Sequence, residues 1–574
     1  MLPIHLILSG PQEAPYPNGG DEAYWMGQVA GALAAHLHAG GLSLAWGLPQ
    51  GADGFTLALS SQASPPQREG RQKGPALLWR PGDALGRRAA EAMAFQLAQV
   101  YPQPELITLE EAPLESLPGP GVAVYLLYRD NPQDEAWLAR SAGATGKALA
   151  RAWAPWMAEA LSSLLWGWHV LGGILAAGAF FTVATGFYQL RCLGRWMKAA
   201  LRPPPRQGGK LSSFQALSTA LAGSIGTWNI VGVAAAITVG GPGALFWMWL
   251  SALLGMMTVY AENYLSAKHP GAPGALGYIR RAGRLGGLLA GVYAVGCCLS
   301  SLAMGDMVQV GAAAAALENL GLPVWLSAGG MALLAFWVAR GGLSLAGRIA
   351  GRLVPAMTLL FFAASLGVLW VFRENLPRAV ASVFSGAFSP GAGAGGAAGW
   401  LLAMRVGVTR GVFTNEAGLG SAAFAYDGVE GRSPGELGCL GIFQVFADTL
   451  LMCTVTGLCI LVCRSPVLEG AALTFYAYES ALGPWGGRAV SLCTALFAAA
   501  TLTAWCGYGR EGLFYLTGGR GKNAYALAAA VAAALGCCLP LGEVLRLGDA
   551  MNGLMALPNL AALFLLRREV AVEK

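Results

Sequence analysis

SIGTWNIVGV at 224–233 and TRGVFTNEAGLGSA at 409–422 decide the fold, because each sets polar residues and clustered glycines inside an otherwise apolar run of membrane length. A helix facing lipid gains nothing by breaking, since each freed backbone group costs several kcal/mol unless protein, water or a ligand satisfies it. Two such breaks, one early and one late, predict a small-molecule or ion site near mid-membrane.

Working outward from the breaks, eleven apolar segments are predicted to span: 164–188, 216–239, 243–265, 286–317, 322–339, 352–372, 396–425, 438–463, 487–509, 523–541 and 547–566. Residues 1–155 carry charge and Pro/Gly punctuation instead. The whole chain is 55% hydrophobic and 12% charged, with a mean hydropathy of +0.51. An ordinary soluble domain is about 25% charged, so the composition predicts a polytopic all-α domain over 160–570 behind a soluble domain over 1–155. The breaks fall in segments two and seven. With segment one peripheral, they open two successive five-segment units, the arrangement of inverted repeats with discontinuous first helices.

Basic residues fall on alternate loops. Arg191, Arg195, Lys198, Arg202, Arg206 and Lys210 follow segment one, and Lys268, Arg280, Arg281 and Arg284 follow segment three. Arg340, Arg348 and Arg352 follow segment five; Arg510, Arg520 and Lys522 follow segment nine; Arg567, Arg568 and Lys574 come last. The positive-inside bias then predicts a multi-pass plasma-membrane protein with a cytoplasmic C-terminus and an extracytoplasmic N-terminal domain.

Within the first break, Gly223, Gly226 and Gly232 allow conformations and close approaches that larger residues resist, while Ser224, Thr227 and Asn229 offer hydroxyl and amide groups. Exposed carbonyls at a broken helix suit Na+, and exposed N–H groups suit a substrate carboxylate; tight packing through small residues is the competing reading. Trp228 either walls the cavity, admitting only a small ligand, or faces a neighbouring helix. In the second break, Thr414 and Asn415 are expected to bind ligand, while Glu416 pairs or gates with Arg410 or contacts substrate. Asp306 and Gln309 in segment four, and Asp448 and Thr449 in segment eight, are further polar residues in apolar surroundings, with Asp448 open between cation ligand and helix-to-helix acceptor. Glu262 is expected to act as a gate or loop anchor.

His169 and His269 stand alone, and the chain has neither a Walker A pattern nor a nucleophile beside a base. The 11 cysteines, among them the adjacent pairs Cys297–Cys298 and Cys537–Cys538, show no ligand spacing and read as small apolar filler. Ion-driven transport is the simpler account, with no cofactor, no catalytic residue and no nucleic-acid partner expected.

The segments SFQALSTALAGSIGTWNIVGVAAAITVGGPGALFWMWLSALLGMMTVYAE at 213–262, GDMVQ at 305–309, TRGVFTNEAGLGSA at 409–422, FADTLLMCTVTG at 446–457 and MNGLMALPNLAAL at 551–563 closely resemble the alanine or glycine:cation symporter family. These are sodium-coupled amino-acid carriers related in fold to LeuT-like transporters. The resemblance covers about 160–570. It implies a 5+5 inverted repeat with one extra N-terminal helix and Na+-coupled uptake of alanine or glycine, with serine and H+ as variants. It places Thr227 and Asn229 in the first broken helix of the site and Thr414, Asn415 and Gly418 in the second. Together with the polar residues read above, the expected substrate-binding set is Gly226, Thr227, Trp228, Asn229, Gln309, Thr414, Asn415 and Gly418, and the expected ion-binding or gating set is Ser224, Asp306, Arg410, Glu416, Asp448 and Thr449. The family's usual GTGN reads GTWN, so Trp228 replaces a glycine, and its GN-x-x-Q reads GDMVQ, with Asp306 where an amide is expected.

In the soluble domain, residues 3–8, 42–46, 55–60, 75–79, 104–108 and 121–127 predict strands, and 22–39, 84–99 and 132–154 predict helices, giving an α/β domain around a central sheet. MLPIHLILSG reads as a buried strand and not as a cleaved signal. YPNGGDEAYWMGQVAGALAAHL at 16–37, ADGFTLALSSQA at 52–63 and PGPGVAVYLLYRDNPQDEAWL at 118–138 resemble the zinc-dependent N-acetylmuramoyl-L-alanine amidases. That resemblance implies a His, Glu, His metal set and a catalytic Glu, of which Glu22 alone is matched: Ser9 and Gly10, Ser60 and Tyr125 stand at the other positions. An inactive domain that senses or binds cell-wall fragments is expected. The alternatives to symport are a non-transporting membrane sensor of amino acids or wall fragments, and a membrane-tethered amidase.

Overall fold

The structure, a computed structural model, describes residues 4–8, 21–39, 44–47, 54–65, 72–114, 117, 119–153, 165, 167–202, 212–388, 398–463, 471–539 and 541–572. The chain forms two compact units, Met1–Leu161 and Ser162–Lys574.

The N-terminal unit is built on strands β1 (Ile4–Leu8), β2 (Leu44–Trp46), β3 (Phe55–Gln62), β4 (Ala76–Trp79), β5 (Thr108–Glu111) and β6 (Gly121–Tyr128), in the order β2-β1-β3-β6-β4-β5. Every pairing is parallel except β4 with β6. The central strands β3 (FTLALSSQ) and β6 (GVAVYLLY) are buried along nearly their whole length, and β6 is a nearly continuous apolar run, as a central strand covered on both faces is expected to be. Leu6, Leu57 and Val122 from the sheet meet Met26, Met93 and Leu149 from the helices in one core.

Helices Glu22–Ala39, Ala84–Leu97 and Pro132–Arg151 match the predicted ones, the latter two ending slightly early. Asn131 caps the third, accepting from the Gln133 and Asp134 amides, and Pro132 starts it without an N–H to leave unsatisfied. The strand predicted over 104–108 is corrected: Pro104–Leu106 is a 3-10 turn and β5 begins at Thr108. Pro104 has no amide for a ladder, and its fixed φ suits the first position of a turn.

In the second unit, helix occurs in each of the eleven apolar segments, and among the described residues six helices are long and apolar enough to cross a membrane: Gly243–Lys268, Gly286–Glu318, Val324–Gly341, Leu343–Val371, Pro434–Val462 and Pro484–Thr517. Others are shorter for physical reasons. Segment two divides into Ser213–Ser224 and Val231–Gly240, and segment seven into Ala398–Asn415 and Ala422–Ala425. Lys522–Gly536 has 15 residues, about 22 Å at 1.5 Å each, below the roughly 30 Å of a bilayer core. Segment six starts at Leu343, earlier than predicted, because Arg348 and Arg352 lie on its exposed face and do not end the helix.

Among the described residues, two helices contain π-helical stretches, Ser301–Met307 and Phe446–Cys453, a distortion that often marks functional positions. Segment eleven continues through Pro558 as Leu541–Leu565. Segments three and seven pack closely: a Cβ on Gly407 would lie 2.3 Å from the Ala244 carbonyl oxygen, so only glycine fits.

The buried carboxylate Asp134 links separate parts of the N-terminal unit, accepting from Tyr101 OH at 2.7 Å, Gly74 N at 2.9 Å and Tyr128 N at 3.3 Å. Burial first, and the bond to Asp134 second, push the Tyr101 phenol above its ordinary value, so it stays a neutral donor. Asp134→Ala is expected to cost about 3 kcal/mol by stranding these donors. Hydrogen exchange on the full chain would then show faster opening of 119–153 while 213–388 keeps its protection.

Candidate functional site

The first break begins from a fixed helix start. Ser212 Oγ accepts from Gln215 N and Gln215 Oε1 accepts from Ser212 N, both at 3.1 Å, forming a capping box. The helix stops at Ser224, Ile225 and Gly226 leave helical geometry, and a 3-10 turn at Thr227–Asn229 leads into Val231–Gly240. Asn229 closes the turn on itself and outward: its Oδ1 accepts from Gly226 N at 2.9 Å, and its Nδ2 donates to Asp448 Oδ1 at 2.7 Å. A Cβ on Gly226 would meet Thr501 Oγ1 at 2.5 Å. Thr501 donates to the Ile225 carbonyl at 3.4 Å, and Thr227 Oγ1 donates to Gln309 Oε1 at 2.9 Å.

The second break turns on left-handed residues: Glu416 at φ +57°, Gly418 at +88° and Gly420 at +69°. That region is strained for glutamate and free for glycine. Glu262, fully buried on segment three, holds the unwound backbone. Its Oε1 accepts from Gly418 N at 3.0 Å, Gly420 N at 3.1 Å and Asn559 Nδ2 at 2.7 Å. Tyr278 donates to Asn559 Oδ1 at 2.5 Å, and Tyr293 donates to the Leu419 carbonyl at 2.9 Å. Asn415 Oδ1 accepts from Ala417 N at 3.0 Å, while its Nδ2 is buried without a hydrogen-bond partner.

A polar chain joins the breaks. Asn229 reaches Asp448, Thr449 Oγ1 donates to Asp448 Oδ2 at 2.7 Å, and Thr449 Oγ1 lies 3.2 Å from Thr414 Oγ1. Gly226, Trp228, Gln309 and Glu416, together with Met304, Phe413, Thr501 and Trp505, line a cavity of ≈ 10 Å³. That is at the threshold for one water. A larger cavity of ≈ 260 Å³ meets the chain at Val231, just past the same break.

The sequence leaves Trp228 open between walling the cavity and facing a neighbouring helix. It walls the small cavity and stacks on Phe413, with ring centroids 6.0 Å apart and planes at 22°. Its Nε1 is buried without a hydrogen-bond partner. Gly232 makes room for the indole, since a Cβ there would lie 2.7 Å from Trp228 Cε3.

The expected pairing of Glu416 with Arg410 is corrected. Glu416 accepts from Ser421 Oγ at 2.5 Å and Trp505 Nε1 at 3.0 Å, whereas the Arg410 guanidinium sits 5.1 Å from the Trp228 ring centre. The left-handed turn at Glu416 gives its carboxylate these two neutral donors, and the indole face attracts the cation. Ser224 turns its hydroxyl back to the Ala220 carbonyl at 3.3 Å while its residue lines the cavity. Asp306 stands apart from the Asp448 chain and accepts from Cys506 Sγ at 3.1 Å.

Phe413, Trp505, Tyr278, Tyr293 and Asn559 complete the site without having been singled out as part of it. Glu262 and Asn559 carried the one usable signal, polarity inside apolar sequence.

In the N-terminal unit, Glu22 is buried against β3. Its Oε1 accepts from Ser61 N at 2.6 Å and Ser60 Oγ at 3.2 Å, and its Oε2 accepts from Ser61 Oγ at 2.5 Å. Catalytic zinc needs three protein ligands. The residues present do not fit it: serine donors occupy both oxygens of Glu22, and the described residues hold no cluster of three His, Cys, Asp or Glu. Ser9 and Gly10 lie outside the described residues.

The N-terminal unit is similar in fold to an N-acetylmuramoyl-L-alanine amidase of Nostoc punctiforme at 15% identity, covering 26% of this chain and 95% of that one with a TM-score of 0.22. An uncharacterized transporter of Haemophilus influenzae is 38% identical over 72% of this chain and 94% of its own length. The sodium/alanine symporter AgcS of Methanococcus maripaludis is 35% identical over 73% and 96%. The probable sodium/glutamine symporter GlnT of Bacillus subtilis is 31% identical over 71% and 87%. The sodium:alanine symporter family matches residues 151–574. With its broken helices and long apolar spans, the chain is therefore a multi-pass membrane protein belonging to the sodium:alanine symporter family.

Proposed function

We propose that the chain is a secondary active symporter of alanine or glycine, with serine in range, driven by Na+ through alternating access in a LeuT-like 5+5 arrangement of eleven spans. The observation that carries this reading is the polar chain Asn229–Asp448–Thr449–Thr414, which joins two helix breaks far apart in sequence. Asp448, Thr449 and Thr414 supply the hard oxygens that Na+ prefers. Gln309 Oε1 accepts from Thr227 through both its amide, at 3.4 Å, and its hydroxyl, at 2.9 Å. A substrate carboxylate replaces this acceptor when the cavity opens, drawing on the N–H groups of a broken helix.

Relatives carry names for alanine and for glutamine transport. Trp228 favours the smaller substrate, because the indole fills the space beside Phe413 and leaves a cavity of ≈ 10 Å³. The closed cavity must therefore expand before any amino acid enters, and Trp228 moves with Phe413 and Arg410 as its outer wall. Loop charge supports an extracytoplasmic N-terminal domain and a cytoplasmic C-terminus. The serine-satisfied Glu22 supports an N-terminal domain without hydrolytic activity, whose part is to sense or bind wall fragments.

Purified chain in proteoliposomes is expected to accumulate labelled alanine or glycine under an inward Na+ gradient. Absence of uptake for any small neutral amino acid with and without that gradient overturns the reading and favours a sensor. Trp228→Gly should admit glutamine, seen as competition with labelled alanine, whereas Trp228→Phe should keep the size limit. Glu262→Ala strands the amides of Gly418 and Gly420, at about 1–3 kcal/mol each. It should lower the melting temperature and abolish uptake, both measurable on one preparation.

A further inference from the structure

Four fully or nearly fully buried carboxylates lie around the two breaks, and they differ sharply in what satisfies them. Glu262 takes three nitrogen donors on Oε1, although its Oε2 is buried without a partner. Glu416 accepts from Ser421 and Trp505, and Asp448 from Asn229 and Thr449. Asp306, at 0% exposure, has one thiol, Cys506 Sγ at 3.1 Å from Oδ1, while its Oδ2 is buried with no hydrogen-bond partner. A thiol is a weak donor. No lysine, arginine or histidine lies within ion-pair distance of Asp306 among the described residues.

A charged carboxylate so poorly solvated is unfavourable by several kcal/mol, and such a group neutralises instead. The titratable groups facing Asp306 offer no counter-charge. They are Cys506 from Pro484–Thr517 and Tyr525 from Lys522–Gly536, and the Tyr525 hydroxyl is engaged with Ser301 Oγ at 2.6 Å. From Leu541–Leu565, Gly548 packs toward Met304 and Asp549 lies in the field of Arg410. Asp306 also sits in the π-helical stretch Ser301–Met307, between the cavity-lining residues Met304 and Gln309.

We propose that Asp306 is a proton site of this chain: Oδ2 carries a proton in the closed form and releases it to water when the helix opens, making transport proton-linked. The consequence for uptake rests on the symport reading above; the proton site itself does not. Raising pH charges Asp306, opposes closure around it and slows the cycle.

The test uses the full chain in lipid bilayers. Infrared difference spectra across an acid-to-alkaline titration are expected to contain a protonated-carboxyl band in the native chain that is absent in Asp306→Asn. Identical bands in both overturn the proposal. Na+-driven uptake by the native chain should fall as pH rises, and Asp306→Asn, fixed in the neutral form, should lose that dependence; an unchanged profile overturns the proton link. Cys506→Ser gives Asp306 a stronger donor and should move the band's midpoint down by about one pH unit. An unmoved midpoint counts against the site even if the asparagine variant does not fold. A band lost in Asp306→Asn without uptake by any form supports the proton site and overturns the symport reading.

Discussion

The carboxylate of Glu262, held against the amides of Gly418 and Gly420, is the contact on which the membrane unit depends. A helix opened inside an apolar unit leaves amides that water would otherwise satisfy. Glu262 supplies that acceptor from segment three, and Asn559 from segment eleven shares the same oxygen. The strained φ of Glu416 and the bond from Tyr293 to the Leu419 carbonyl belong to the same locked turn. The break is thus a fixed piece of backbone, held by segments distant in sequence.

The first break is held differently. Asn229 satisfies Gly226 within its own turn and then reaches Asp448, while Thr227 relies on Gln309. Side chains close it, and side chains can be exchanged for a ligand at little cost when the ligand offers equivalent acceptors. Trp228 fills the remaining room. Its stacking on Phe413, the Arg410 cation over its face and the space left by Gly232 make the indole an integral wall of the cavity.

The N-terminal unit puts a buried carboxylate to structural use. Glu22 remains buried, and hydroxyl and amide groups of Ser60 and Ser61 satisfy it fully from β3. The carboxylate fastens helix Glu22–Ala39 to the sheet, a contribution to packing that needs no metal.

Both breaks, the α/β pattern and the helical segments were legible in the sequence, because glycine clusters, polar residues in apolar runs and hydrophobic periodicity are local signals. The turn at Pro104 and the early start at Leu343 were not read, since a short strand and an amphipathic helix end have weak signals. Which polar residue meets which was decided by tertiary structure alone. Arg410 lies close to Glu416 in sequence, yet it meets the Trp228 ring, while Glu416 bonds Trp505. Glu262 finds Gly418, and Asp306 finds only a thiol. The sequence by itself determined where the backbone must open, because that depends on conformational freedom at a few residues. The fold decided how each opening is satisfied, because hydrogen-bond partners are set by helices that approach from far along the chain.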